Sequence, residues 1–236
     1  QEANRFPHAS RHPGRMHACG HDGHMAMLLA ATRYLSQSRD FNGTVYAIFQ
    51  PAEEGGGGAR RMIEDGLFRR FPMDAVFGLH NWPGLPAGCF GVVPGPIMAS
   101  SNEFRITVHG KGAHAAMPHL GADPVMAVVH IAQALQTIVT RNKAPGDTAV
   151  LSITQIHAGS ADNIIPTEAW MSGTVRTFET GPLDLIERRM REVATQTAAA
   201  FDARATVEFV RNYPPTINHP AETAFAVEVM RDLVGA

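Results

Sequence analysis

Cysteine is scarce in this chain, which has only two in 236 residues, Cys19 and Cys89. Two cysteines are too few for the disulfide framework on which small secreted proteins depend. A single disulfide between them remains an alternative. Cys19 lies among histidines, however, and a thiolate that binds a cation is the better interpretation there. Cys89 stands between Gly88 and Phe90, and we interpret it as a small buried apolar side chain.

An excess of one charge is also absent, as is any long apolar run. The formal net charge is −2, and the lysines and arginines are scattered, which excludes the basic patch of a nucleic-acid-binding protein. One of the longest apolar stretches, residues 26–31, falls far short of the roughly 20 residues that span a bilayer. The first residues have no signal-peptide pattern. We therefore expect a globular cytoplasmic protein with neither a nucleic-acid nor a membrane partner.

Residues 16–24 stand out from the rest of the chain, because they read MHACGHDGH. Three imidazoles, a thiol and a carboxylate within nine residues are hard to explain by packing, and they suit Zn²⁺ or a similar divalent ion. An apolar helical pattern follows directly and predicts a helix over residues 23–38. The sequence therefore predicts half of a metal site where a loop enters a helix.

The spacing within this motif favours two of its side chains as ligands. Cys19 and His21 are two residues apart, so in an extended loop they point the same way, whereas the three histidines share a face only in a helix. Gly20 and Gly23 argue against a helix through the whole motif. We therefore predict Cys19 and His21 as metal ligands. The other histidines, predicted to be supporting or structural, are His17 and His24.

Two apolar runs of strand length, residues 44–49 and 74–79, predict buried strands of a parallel sheet, because helical patterns alternate with them. The pair Glu53-Glu54 follows the first run and His80 follows the second, and sites in such sheets collect at the carboxyl ends of strands. A Glu pair is often only a solvated turn. Its place between a strand and four glycines favours a site, where one carboxylate binds metal and the other takes a proton from water.

The second half of the chain has a different pattern. Strands are predicted at residues 103–109, 149–157, 168–178 and 204–211, and helices begin near Asp123 and Pro182. The order β-α-β-β-α-β is typical of the ferredoxin-like split unit. We predict an α/β fold in three segments: residues 1–98 as the first part of a catalytic domain, 99–212 as an inserted α+β ferredoxin-like domain, and 213–236 as the return to the catalytic domain.

Five motifs together resemble one enzyme family, and they span nearly the whole chain in the right order. They are HACGHDGH at 17–24, QPAEEG at 50–55, GLHN at 78–81, GKGAHAAMP at 110–118 and NIIP at 163–166. These motifs are similar to those of the metal-dependent amidohydrolases that include hippurate hydrolase, the auxin-conjugate hydrolases, and related aminoacylases and carboxypeptidases.

The resemblance implies a dinuclear centre with two divalent ions per subunit, Zn²⁺, Mn²⁺, Co²⁺ or Ni²⁺, and Cys19 as a candidate bridge between them. The implied ligands are Cys19, His21, Glu54 and His80. Glu53 would be the general base for a metal-activated water. The implied reaction is hydrolysis of the amide bond of an N-acyl amino acid of the hippurate or N-acetyl type.

The resemblance also implies a homodimer formed through the inserted domain, which supplies substrate contacts. His114 matches the histidine that polarises the scissile carbonyl, from its own or the neighbouring subunit. Asn163 and Arg176 match substrate-binding positions. A guanidinium suits the α-carboxylate of the substrate because it can bond both oxygens at once. An ordinary cation on a strand surface is the alternative for Arg176.

The sequence departs from the family at both ends. Family members begin with a further βα segment and end with one that contributes another metal-binding histidine, so we expect this sequence to be the middle of an enzyme. His219 lies too early to replace that histidine. Two alternatives stay open: a dipeptidase or carboxypeptidase, although no clear acidic group is available for a free amine, and a non-catalytic dimerising fragment.

Overall fold

The computed structural model describes residues 1–235 and divides the chain into two compact units. Unit 1 is Gln1–Gly91 and unit 2 is Val92–Ala236. The boundary between them lies within the stretch 83–98, which is rich in glycine and proline. Ala236, the last residue of the predicted return segment, lies outside the described residues.

Unit 1 is built from three helices and the loops around them: α1 (His21–Ser38), α2 (Gly58–Glu64) and α3 (Leu67–Arg70). The predicted helix over 23–38 is confirmed, but it begins two residues earlier. Gly20 is its N-cap, with a left-handed backbone (φ 73°), and Gly23 is helical. The expectation that no helix runs through the whole motif is confirmed, because the helix starts only after Gly20; Gly23 lies within it, and one glycine costs a helix only about 1 kcal/mol.

The prediction of strands at 44–49 and 74–79 was wrong, since neither run joins a sheet among the residues that the structure describes. Their apolar side chains are largely exposed, as Val45 (57%) and Val76 (61%) illustrate. A strand forms only where a neighbouring backbone completes its hydrogen-bond ladder, and residues 1–235 place no such neighbour beside either run. The apolar pattern reports a tendency to be buried and does not supply the partner strand.

Unit 2 holds every strand among residues 1–235. The strands are β1 (Gly95–Met98), β2 (Ser101–His109), β3 (Ala113–His114), β4 (Ala149–Ala158), β5 (Ile164–Ile165), β6 (Glu168–Thr177), β7 (Arg204–Tyr213) and β8 (Thr216–Asn218). Its helices are α4 (Pro124–Thr137), α5 (Thr180–Ala199) and α6 (Pro220–Val234), with a π-helical turn at Ile138–Asn142 after α4.

The four long strands form one antiparallel sheet in the order β4-β6-β2-β7. Along the chain these strands and two helices follow as β2, α4, β4, β6, α5, β7, which is the order that the sequence predicted. Asp123 starts α4 because its side chain accepts a hydrogen bond from the backbone N–H of Val125 at 2.8 Å. Pro124 follows at a helix position that needs no N–H donor.

The apolar core lies between the sheet and helices α4 and α5. Alternate residues of β2 point inward, so Ile106 and Val108 are fully buried, and Ile131 of α4 and Ile186 of α5 are buried with them. In unit 1 the buried positions among the described residues are two glycines, Gly58 and Gly66. Among residues 1–235, every helix is too short or too polar to cross a lipid bilayer.

A cluster of charges joins α5 to β7. Glu187 accepts hydrogen bonds from Arg191 at 2.9 Å and from Arg211 at 2.8 Å, and Arg211 also contacts Asp184 at 2.8 Å. Burial by itself raises the pKa of Glu187, but the hydrogen bonds from Arg191 and Arg211 outweigh it and the pKa is lowered. The folded state therefore favours the ionised carboxylate.

This lowered pKa predicts a stability that depends on pH. The contribution of Glu187 to the free energy of unfolding is complete above its pKa in the unfolded chain, about 4.3, and is lost as the pH falls through the lowered folded pKa. We expect Glu187→Gln to lower the free energy of unfolding of unit 2 by roughly 1 kcal/mol at pH 7 and by less at pH 3. Urea unfolding at both pH values, followed through Trp170 in a Trp82→Phe background, measures this difference.

Glu228→Gln, a matched change on an exposed face of α6, is the control and should leave the unfolding curve unchanged at both pH values. An equal loss for Glu187→Gln at pH 7 and pH 3 would contradict the electrostatic account.

Candidate metal centre

Three separate segments of unit 1 bring their polar side chains together. Cys19 and His21 lie where the chain enters α1, Glu53 and Glu54 lie on the turn before α2, and His80 follows the segment 74–79. They form two groups, Cys19-His21-His80 and His21-Glu53-Glu54, and within each group the ligand atoms all lie within 4.8 Å of one another. His21 belongs to both groups.

The distances in these groups fit the coordination sphere of a metal. The Cys19 Sγ lies 3.6 Å from His80 Nε2, and His21 Nε2 lies 3.7 Å from Glu53 Oε2 and 4.0 Å from Glu54 Oε1. Atoms bound at about 2.0–2.3 Å to one tetrahedral ion are separated by about 3.3–3.8 Å, so the first two distances lie in this range and the third is slightly longer. Thiolate, imidazole and carboxylate are also the donors that Zn²⁺ and similar ions take. The residues present therefore fit a metal centre.

The ring of His80 is oriented for ligation. Its Nδ1 lies 2.6 Å from the backbone oxygen of Asn81, so Nδ1 carries the proton and donates it to that carbonyl. The lone pair is then on Nε2, which faces Cys19 Sγ. A hydrogen bond from the distal ring nitrogen to a carbonyl is the usual means by which proteins fix a metal-binding imidazole.

A tight turn presents the two carboxylates. Ala52, just before them, has a left-handed backbone (φ 49°), and its carbonyl accepts a hydrogen bond from Gly56 N–H at 3.1 Å. Gly58 is buried against Pro51, where a Cβ would lie 1.7 Å from the Pro51 oxygen. The glycine run thus lets the chain fold back on itself directly after Glu53 and Glu54.

Sequence reasoning assigned no role to Asn81 and only a supporting one to His24. In the structure the backbone N–H of Asn81 donates to His24 Nε2 at 3.0 Å, and the His24 ring lies 4.4 Å from the His80 ring. His24 reaches this position because it lies three residues after His21 in the first turn of α1, on the same helix face. The His17 side chain is exposed.

The other predicted residues lie in unit 2, where His114 and Asn163 are close together. β3 pairs with β5, which sets His114 opposite Ile164, and the Ala115 N–H donates to the Asn163 carbonyl at 2.9 Å. The Ala116 N–H donates to His114 Nδ1 at 3.1 Å, so a neutral ring carries its proton on Nε2. His114 lines an open depression of about 540 Å³ with residues from both short strands.

Arg176 lies elsewhere in unit 2. It is eight residues along β6 from Glu168, which at about 3.3 Å per residue is roughly 26 Å of strand. Its Nη1 donates to the backbone oxygens of Asn102 at 3.3 Å and Val175 at 3.2 Å, and to the hydroxyl of Thr174. The structure therefore brings His114 and Asn163 together but places Arg176 towards the other end of the sheet.

The predicted disulfide alternative and the predicted burial of Cys89 are not observed. Both Cys19 and Cys89 are free thiols, and both are exposed. For Cys19 this exposure agrees with a place beside His80 at the surface of unit 1.

Comparison with known proteins identifies the family of the chain. The model of peptidase family M20/M25/M40 matches residues 1–236. An N-acetyl-L-cysteine deacetylase of Bacillus subtilis is 43% identical over 224 residues, which are 94% of this chain and 53% of that protein. The hippurate hydrolase of Campylobacter jejuni is 42% identical over 235 residues, which are 100% of this chain and 61% of that enzyme.

A solved structure agrees with these matches. The YxeP protein of Bacillus subtilis, described as a dinuclear metal-binding peptidase from the M20 family, is 38% identical, with a TM-score of 0.77 over 99% of this chain and 59% of that one. The chain thus spans between half and two thirds of the length of these relatives. Since the family model matches the whole chain, the protein belongs to peptidase family M20/M25/M40.

Proposed function

We propose that the protein hydrolyses the amide bond of N-acyl amino acids with two divalent metal ions held in unit 1. The observation that carries this proposal is the pair of ligand groups that share His21. The similarity to an N-acetyl-L-cysteine deacetylase and to a hippurate hydrolase supports the substrate class, and the similarity to a dinuclear peptidase supports two ions.

In this proposal four residues hold the metal ions, which are Zn²⁺, Mn²⁺, Co²⁺ or Ni²⁺. They are Cys19, His21, Glu54 and His80. Glu53 remains free to act as the general base. The two carboxylates lie at similar distances from His21, 3.7 and 4.0 Å, so the family resemblance distinguishes their roles. The metal, when bound, supplies a Lewis acid that lowers the pKa of water towards neutrality.

The side chains of the protein then perform the proton transfers. Glu53 takes a proton from the water that attacks the carbonyl carbon, and it later passes that proton to the nitrogen of the leaving amine. His114 carries its proton on Nε2 when neutral, so it can donate a hydrogen bond to the carbonyl oxygen as negative charge develops there. His114 performs this role in its own subunit or across a dimer.

Asn163 and Arg176 complete the proposed substrate contacts. Asn163 lies beside His114, and His114 lines the open depression of about 540 Å³, which is large enough for a small acyl group. Arg176 binds the α-carboxylate through the part of its guanidinium that Nη1 does not commit to the sheet. Because Arg176 lies towards the other end of the sheet, it shares one small substrate with His114 only when the two residues come from different subunits.

We further propose that residues 99–212 form an inserted ferredoxin-like domain through which two copies of the chain associate. The strand order β4-β6-β2-β7 and the β-α-β-β-α-β chain order support this proposal. β4 is an edge strand, and its residues from Gln155 onwards are exposed, so it offers unpaired backbone groups to a second copy.

The test of the substrate class compares three compounds with the metal-loaded protein, together with any residues that its gene encodes beyond these 236. They are an N-acetyl amino acid, the same compound with its carboxylate amidated, and a dipeptide with a free amine. We expect release of free amino acid from the first, and a kcat/KM at least 10-fold lower for the second, because a charged hydrogen bond to the carboxylate is worth about 1.5–3 kcal/mol. Faster cleavage of the dipeptide would favour a dipeptidase instead.

A further inference from the structure

We propose that His24 is a positioning residue, which holds His80 with its proton on Nδ1 and its Nε2 lone pair towards Cys19 by fixing the backbone of Asn81. This inference rests on the proposed metal centre, in which His80 is a ligand and His24 is not. It gives a role to the third histidine of the motif, which the reaction itself does not use. Two hydrogen bonds, a ring contact and one close approach carry it.

The first hydrogen bond defines the state of His24. The hydrogen of a backbone amide is fixed by the peptide plane, so Asn81 N–H must donate, and His24 Nε2, 3.0 Å away, must accept. A neutral His24 therefore carries its proton on Nδ1. The side-chain oxygen Oδ1 of Asn81 lies 2.5 Å from the same ring nitrogen, and a nitrogen that accepts from the backbone N–H has no hydrogen to donate to it. Turning the Asn81 side-chain amide so that its NH₂ group faces Nε2 removes this conflict. His24 Nε2 thus serves Asn81 and is not available to a metal ion.

The second hydrogen bond connects the backbone of Asn81, which His24 holds in place, to the ring of His80. The carbonyl oxygen of Asn81 accepts from His80 Nδ1 at 2.6 Å. Residue 81 is therefore held through its N–H by His24 while its carbonyl holds His80. The His24 and His80 rings also meet edge to face, with centroids 4.4 Å apart and planes at 70°. Rotation of the His80 ring would break the hydrogen bond at Nδ1 and the contact with His24 together.

Gly20 shows how closely Asn81 approaches the motif that supplies Cys19. A Cβ added at Gly20 would lie 2.5 Å from Asn81 Nδ2, and Gly20 also has a left-handed backbone, with φ 73°. The amide of Asn81 therefore fills the space that a side chain would take next to Cys19. One asparagine thus contacts the segments that carry Cys19, His24 and His80, which sets the distance between the two proposed ligands.

The expected consequence is a loss of metal affinity without His24. Removal of the residues that orient metal ligands typically costs 10–100-fold in affinity. His24→Phe keeps an aromatic ring against His80 but removes the acceptor for Asn81 N–H. His24→Gln can restore an acceptor, because its side-chain oxygen reaches a position close to that of Nε2. His12→Phe, the same change at an exposed histidine outside both ligand groups, is the matched control.

The experiment titrates each metal-free protein with Co²⁺ and follows the absorption band of cobalt bound to thiolate. We expect His24→Phe to bind the ion 10–100-fold more weakly than the wild type, His24→Gln to recover most of that loss, and His12→Phe to match the wild type. Wild-type affinity and an unchanged spectrum in His24→Phe would overturn the role of His24 while leaving the metal centre intact. A loss in His24→Phe that His24→Gln does not reduce would also overturn it, since the acceptor would not be the cause.

A second measurement needs no metal. Nitrogen-15 NMR of the metal-free wild type should show the Nδ1-protonated tautomer for both His24 and His80, whereas histidines in water favour Nε2. A proton on Nε2 of either ring would overturn the proposal. If the wild type gives no cobalt band but shows both Nδ1 tautomers, the proposed metal function fails while the positioning contact stands.

Discussion

Replacing His21 with alanine is expected to lower the affinity of the protein for both metal ions at once. His21 is the one residue common to the two ligand groups, so its loss leaves Cys19 with His80 and Glu53 with Glu54. Since loss of a residue that merely orients a ligand costs 10–100-fold in affinity, loss of a ligand should exceed about 100-fold. Metal content after dialysis, measured by elemental analysis, should fall from two ions per chain towards none.

Cys19→Ser is the matched comparison for this prediction. Cys19 belongs to only one of the two groups. This change should therefore lower the affinity for one ion and leave the affinity for the other near its wild-type value. Serine has the same side-chain shape as cysteine, but its oxygen is smaller and harder than sulfur and is a poorer ligand for Zn²⁺. If His21→Ala retained as much metal as Cys19→Ser, His21 would not be shared and the two-ion arrangement would be wrong.

Glu53→Gln is expected to lower kcat about 10²–10⁴-fold, because that is the usual contribution of a positioned general base. Glutamine has nearly the same shape as glutamate but does not take a proton from water. Metal content should stay at the wild-type value, since Glu53 is not among the proposed ligands. The measurement is the rate of amino-acid release from an N-acetyl amino acid at saturating metal.

Glu54→Gln separates the roles of the two adjacent carboxylates. This change should reduce metal affinity, and added metal should restore part of the activity. The two side chains lie at similar distances from His21, so this contrast tests the assignment that rests on the family resemblance. A loss of metal in Glu53→Gln, with metal retained in Glu54→Gln, would reverse the proposed roles.

The elements of unit 2 could be predicted from the sequence because their signals are local. Alternation along residues 103–109 and helical spacing after Asp123 follow from which face each residue buries, and the structure buries those faces. The pair β3–β5 could not be predicted in this way. Each strand has two residues, too few to show any period, and their pairing joins positions 113 and 165 across the chain.

In unit 1 the candidate site residues could be predicted from the sequence, whereas the strands could not. The candidate site residues could be predicted because Cys, His and Glu at these spacings are chemically distinctive, and the structure brings these five side chains together in two groups that share His21. The prediction of strands at 44–49 and 74–79 was wrong because an apolar run forms a buried strand only where a partner strand exists. The contact between His24 and Asn81 was missed because it joins residues 57 positions apart, and no local pattern encodes such a contact.

Activity measured against added metal tests the central claim most directly. The protein, with any residues that its gene encodes beyond these 236, is stripped with a chelator and titrated with Mn²⁺ or Zn²⁺ while release of free amino acid from an N-benzoyl amino acid is followed. We predict no release without metal and a rise that ends near two ions per chain. Release that survives complete removal of metal, or none at any metal loading, would contradict the proposed function.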